Sequence, residues 1–170
     1  MIVLFEAQGG HLYEFNCNDF VVSIPDDEEG VSKAYFYDME GNVHIKPREL
    51  NVFKTKLTEC FKESGDSCTF TYDFGDGWEF TLTLEKIIQN EDLVVPQVID
   101  GKGYGIFEDI GGTSALEEVF KQFKKKKGDM YEYIADWLED FDINLESFNA
   151  KKMNKDLKSM IRMYDKAYKE

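Results

Sequence analysis

Positive charge, cysteine, histidine and arginine are all scarce in this chain, and each shortage removes a class of function. Lys and Arg together number 20 against 34 Asp and Glu, a net charge of −14. Nonspecific affinity for nucleic acid comes from clustered cations, and only the lysines at 124–127 offer a cluster, so nucleic acid is disfavoured as a partner. Arginine occurs only as Arg48 and Arg162, too few to stabilise the pentavalent phosphate of strand exchange. Two histidines, His11 and His44, supply an imidazole zinc centre poorly. Three widely spaced cysteines make neither CxxC pairs nor an even disulfide framework, which favours a reduced, cytoplasmic setting. No apolar run reaches the length of a membrane span, and the first ten residues lack a charged leader region. No repeat is present, and the glycine-rich stretch at 100–105 lacks the GxxxxGK[ST] order of a phosphate loop.

Aromatic residues, at 15%, predict a ring-rich core, and 170 residues suit one domain spanning 1–170. The organising stretch is 68–87, CTFTYDFGDGWEFTLTLEKI, two alternating runs around a Gly-Asp-Gly tip: a β-hairpin. A three-residue loop with Gly77 in the left-handed region sorts its faces cleanly. That register pairs Phe74 with Trp78, Tyr72 with Phe80, Phe70 with Leu82 and Cys68 with Leu84 inward. Outward it sets Asp73 opposite Glu79 and pairs threonines beyond them. Two carboxylates about 5 Å apart repel by roughly 1 kcal/mol in water and roughly 3 kcal/mol at an effective dielectric near 20. A wet face tolerates this, whereas a covered one needs a cation, a lysine or a proton. Trp78 is expected inward opposite Phe74, with partial exposure at the hairpin end as the alternative.

Around the hairpin, 11–15, 20–24, 34–38 and 43–45 read as strands. The four acids at 26–29 read as a solvated loop, and His44 as a surface or structural residue. Leu50, Phe53, Leu57, Cys60 and Phe61 recur at helical spacing, predicting an amphipathic helix at about 47–63 behind Pro47. Cys60 and Cys68 read as packed thiols, since no cationic or imidazole partner is identifiable. Glu108-Asp109 before Gly111-Gly112 suggests a tight backbone path beside another segment or a ligand. Three helices close the chain. The first has a capping box of Ser114 and Glu117, the second starts at Asp129, and the last runs over about 149–168. Residues 141–148 link the last two. The fold class is α+β: a mostly antiparallel sheet with a central 68–87 hairpin, packed against the 47–63 helix and the C-terminal helices.

The strings HLYEF at 11–15, TYDFGDGWEF at 71–80, DGKGYGIFEDIGG at 100–112 and DFDINLESFN at 140–149 resemble the plasmid pRiA open-reading-frame-three-like family over roughly residues 9–149. The resemblance implies an α+β fold and a mobile-element association, with no settled activity. Family members usually carry an extra strand and helix at the start, so the resemblance implies an uncovered sheet edge here, open to homo-oligomerisation or to cover by the last helix. Where relatives commonly have a histidine after Trp-Glu, this chain has Phe80. Where they have Cys-Pro-Pro, it has Gly105-Ile106-Phe107. Family chemistry that needs those groups is not expected.

Two functions follow. The first is a non-enzymatic acidic binding module, whose Asp73, Asp76, Trp78, Glu79, Glu108 and Asp109 meet a basic or amide-rich protein partner without any cofactor. The second is a hydrolase or phosphoesterase in which Asp73, Glu79, Glu108 and Asp109 hold Mg²⁺ or Ca²⁺ and activate water.

Overall fold

The computed structural model describes the chain except residues 2, 3, 6, 8, 25–34, 38, 46–47, 90–95, 141–147 and 169–170. The acidic loop at 26–29, Pro47, and the 141–147 part of the link therefore lie outside the described residues, as does the side chain of His44. The chain divides into two compact units, one of His11–Gln89 and one of Met1–Gly10 with Asn90–Glu170.

The first unit carries a five-stranded sheet, β1 (Tyr13–Cys17), β2 (Phe20–Ser23), β5 (Arg48–Asn51), β6 (Ser67–Tyr72) and β7 (Trp78–Thr83), in the order β5-β2-β1-β6-β7. Every pairing is antiparallel except β2 with β5, so the fold is α+β with an open, mostly antiparallel sheet. Between β2 and β5 the chain forms a separate antiparallel pair, β3 (Tyr35–Tyr37) and β4 (Val43–Ile45). Alternation along the strands puts Phe15, Phe70 and Phe80 in one row of one face. Phe70 is 2% exposed and touches Phe15 and Phe80 at ring separations of 4.9 and 6.1 Å. Such ring pairs add about 0.5–1.5 kcal/mol each beyond their burial, so this row anchors the sheet.

The expected helix at 47–63 does not form as such. Arg48–Asn51 is the edge strand β5, and helix is confined to α1 (Leu57–Cys60). Asn51 explains the break, because its side chain accepts the Phe53 N–H at 2.8 Å and its carbonyl accepts from Lys54 and Thr55, a local turn that competes with helix. Leu50 and Val52 instead alternate with strand period and pack against the core, while Phe53 and Leu57 are 65% and 73% exposed. After α1, Asp66 accepts the Lys62 and Glu63 N–H groups at 2.7 and 2.9 Å, which hold its carboxyl below the usual range.

The second unit carries α2 (Gly112–Lys125), α3 (Asp129–Asp140) and α4 (Ala150–Tyr168). α2 starts ahead of the expected Ser114 cap: Gly111 and Gly112 take φ of 92° and 78°, so the chain turns into helix at once and no side chain caps it. Leu116 and Val119 are buried, as the stripe predicts. Phe123 meets Tyr131 edge to face at 4.9 Å, joining α2 to α3. Asn149 caps α4 by accepting the Lys152 N–H at 3.0 Å. From α4, Asn154 makes a two-way bond with the Val98 backbone, accepting its N–H at 2.8 Å and donating to its carbonyl at 2.9 Å. Gly105 lies so close to Phe5 that a Cβ there would strike the Phe5 backbone, and the Ile106 N–H donates to the Phe5 carbonyl at 2.6 Å. No helix among the described residues is long and apolar enough to cross a membrane.

Candidate functional site

The hairpin end is built by Asp73. Strand β6 pairs with β7 through Tyr72↔Trp78, Phe70↔Phe80 and Cys68↔Leu82, so five residues, 73–77, make the tip. The register expected from a three-residue loop is therefore corrected by two residues. Because side chains alternate with a period of two, the faces stay sorted as expected, with rings and a thiol on one and threonines on the other. What changes is the tip itself.

Asp73 leaves the ladder in the left-handed region at φ 54°, which Asp tolerates better than most residues. Its N–H donates to the Leu12 carbonyl at 2.9 Å, and its carbonyl accepts the Gly77 N–H at 2.6 Å. The side-chain Oδ1 accepts the N–H groups of Gly75 and Asp76 at 3.0 and 3.4 Å. The other oxygen, Oδ2, lies 3.6 Å from His11 Nδ1, an ion-pair distance longer than a hydrogen bond. Asp73 is 8% exposed, so its carboxylate serves as a buried capping group that closes a loop wider than three residues.

Two sequence-based expectations change as a result. Asp73 and Glu79 are not cross-strand neighbours, because Glu79 stands opposite Thr71 and is exposed. Phe74 and Trp78 do not pair: Trp78 is 2% exposed, and Phe74, at the tip, is 54% exposed. Among the described residues the buried Trp78 Nε1–H has no hydrogen-bond partner. A like-charge influence of the kind expected for Asp73 and Glu79 acts instead on Glu14. Burial, and then the neighbouring Glu49 charge, push the Glu14 carboxyl above its ordinary value.

The six expected site residues thus separate by role. Asp73 and Asp76 share the tip, Trp78 belongs to the core, and Glu79 lies on the threonine face. Glu108 and Asp109 belong to the second unit, in consecutive positions of opposite character: Glu108 is 8% exposed, while Asp109 is exposed at φ 59°. The tight path expected there is present, with Asp109, Gly111 and Gly112 all at positive φ.

Sequence reasoning missed His11 and Phe74. His11 packs edge to face on Tyr72 at 5.7 Å, beside Asp73, and only the pairing Tyr13↔Tyr72 reveals that proximity. The tighter loop predicts Phe74 inward, whereas the wider tip leaves it exposed. His11 Nδ1 and Asp73 Oδ2, 3.6 Å apart, are disposed to offer two ligands to a cation.

Comparisons with known proteins agree with this fold and leave its chemistry open. A solved archaeal structure, a protein of unknown function (MM3350) from Methanosarcina mazei Go1, matches with a TM-score of 0.67 at 24% identity, covering 89% of this chain and 77% of that one. The uncharacterized protein y4hQ of Sinorhizobium fredii (strain NBRC 101917 / NGR234) is 25% identical over 157 residues, covering 90% of this chain and 73% of its own length. The model of the family described as "Plasmid pRiA4b ORF-3-like protein" matches residues 1–152, and the chain belongs to that family.

Proposed function

We propose that the protein is a non-enzymatic binding module whose contact point is the hairpin end, and that its partner is a basic protein surface. The observation that carries this reading is Phe74: a ring 54% exposed on a loop whose backbone is tied down by the buried Asp73 carboxylate. An aromatic held on a fixed tip offers contact area at little ordering cost, which is how binding hot spots work. Asp76 in the same loop, the exposed Glu79 and the net charge of −14 supply the sign of the partner. Affinity capture with quantitative mass spectrometry tests the reading. Partners should be lost with Phe74→Ser and weakened by Asp76→Asn with Glu79→Gln, and capture should fall as salt rises. Undiminished capture by Phe74→Ser rejects it.

A second reading, a metal-dependent hydrolase, is favoured by the closeness of His11 to Asp73. An imidazole nitrogen beside one carboxylate suits Mn²⁺ or Zn²⁺ better than Mg²⁺ or Ca²⁺. This reading predicts a rise in melting temperature with one of those ions that disappears in His11→Ala. No rise with any divalent ion removes it.

A further inference from the structure

Four adjacent strands of the first unit, β5, β2, β1 and β6, reach one end of the sheet together, and each leaves an apolar residue exposed there. Asn51 pairs with Ser23, Ser23 with Glu14 and Glu14 with Thr71, and the Asp73 N–H reaches the Leu12 carbonyl. Phe53, Ile24, Leu12 and Phe74 therefore all lie just past one row of the sheet. They are 65%, 36%, 62% and 54% exposed. Apolar residues exposed singly need no explanation, but four at the ends of neighbouring strands make a rim about 14 Å long, three strand spacings. The turns at the opposite end, Asn18-Asp19 and Gly65-Asp66, are polar.

Charge is divided along this rim. Exposed Lys54 and Lys56 follow Phe53 at the β5 end, whereas Asp76 and exposed Glu79 accompany Phe74 at the hairpin end. A patch with cations at one end, acids at the other and apolar residues between them is complementary to its own copy turned by a two-fold rotation about its middle. We propose that the protein self-associates through this rim as a two-fold dimer, in which Lys54 and Lys56 of each copy meet Asp76 and Glu79 of the other and the four apolar residues close between them. The inference rests on the reading of the hairpin end as a contact surface and names its partner: the basic surface is the β5 end of a second copy. The net charge of −14 opposes association only at long range, because at physiological salt such repulsion is screened beyond about 8 Å, and the local pairs decide the fit.

Sedimentation velocity on the full-length protein tests this. The unaltered chain should run as a concentration-dependent dimer, and Phe53→Ser or Phe74→Ser, both at exposed positions, should each weaken it by about tenfold or more. Reversing either charged end, with Lys54→Glu and Lys56→Glu or with Asp76→Lys and Glu79→Lys, should give monomer, although the two changes move the net charge in opposite directions. Mixed together, the two reversed proteins should pair again as a heterodimer, since both end-to-end contacts then join opposite charges. An unaltered chain that stays monomeric, a dimer indifferent to Phe53→Ser or to charge reversal, or a mixture that does not pair would each overturn the dimer. A monomer whose captured partners are still lost in Phe74→Ser would strike self-association and leave the contact surface standing. Phe74→Ser without effect on either mass or capture would strike both.

Discussion

Asp73 and its two neighbours show how a single side chain redirects a surface. With its carboxylate spent on the Gly75 and Asp76 N–H groups, Asp73 widens the tip, and the wider tip sends Phe74 out and keeps Trp78 in. Asp73→Ala should lower stability by about 2–3 kcal/mol, since it removes a charged acceptor and leaves a residue poorly suited to positive φ. Asp73→Asn keeps an acceptor oxygen and tolerates that φ, so its loss should be about 1 kcal/mol; urea denaturation separates the two. The opposite fates of Phe74 and Trp78 are tested in the same way. Trp78→Ala should cost about 3–5 kcal/mol and Phe74→Ser no more than about 0.5 kcal/mol. Equal costs would restore the tighter loop. At this scale the sequence was least legible: the face of each strand residue could be read, but the two residues that now matter most, His11 and Phe74, depend on pairings that no local pattern contains.

At the scale of elements, alternation was the dependable signal and turn chemistry the weak one. β1, β2, β3, β4 and the hairpin strands formed near where alternation put them, because a buried face fixes parity. Parity does not fix register, and a shift of two residues conserves every inward ring while changing the tip. The 47–63 helix failed for a related reason. Leu50, Phe53 and Leu57 fit a helical period, but Leu50 and Val52 also fit a strand, and the side chain of Asn51 decides between them. On the threonine face, burial and then the Glu49 charge raise the Glu14 carboxyl. Its folded-state carboxyl is raised, so its contribution to stability is most favourable below the ordinary Glu value of 4.5 and is lost as pH rises through the folded value. Glu14→Gln should therefore raise the melting temperature at pH 7, by about 1–2 °C, and leave it unchanged at pH 4. An equal gain at both pH values would deny the electrostatic cause.

For the molecule as a whole, the family assignment and the α+β class were legible because distinctive strings such as TYDFGDGWEF at 71–80 and EDIGG at 108–112 carry the family pattern. The close approach inside the second unit was legible only as a hint from its glycines. Gly105→Ala would place a methyl group on the Phe5 backbone, which cannot yield as a flexible side chain could. It should cost about 3 kcal/mol or more, or else break the Ile106 to Phe5 hydrogen bond, which hydrogen exchange at the Ile106 amide would report. The proposed binding function is a whole-molecule property: in that proposal the acidic surface sets the sign of the partner and the hairpin tip sets where it lands. The most direct measurement is photo-crosslinking in cells from a reactive aromatic residue introduced at position 74, against the same residue at the exposed position 83 on the threonine face. The account predicts a discrete protein adduct from position 74 that fades with Asp76→Asn and Glu79→Gln, and none of that adduct from position 83. The same adducts from both positions, or none from position 74, would contradict it.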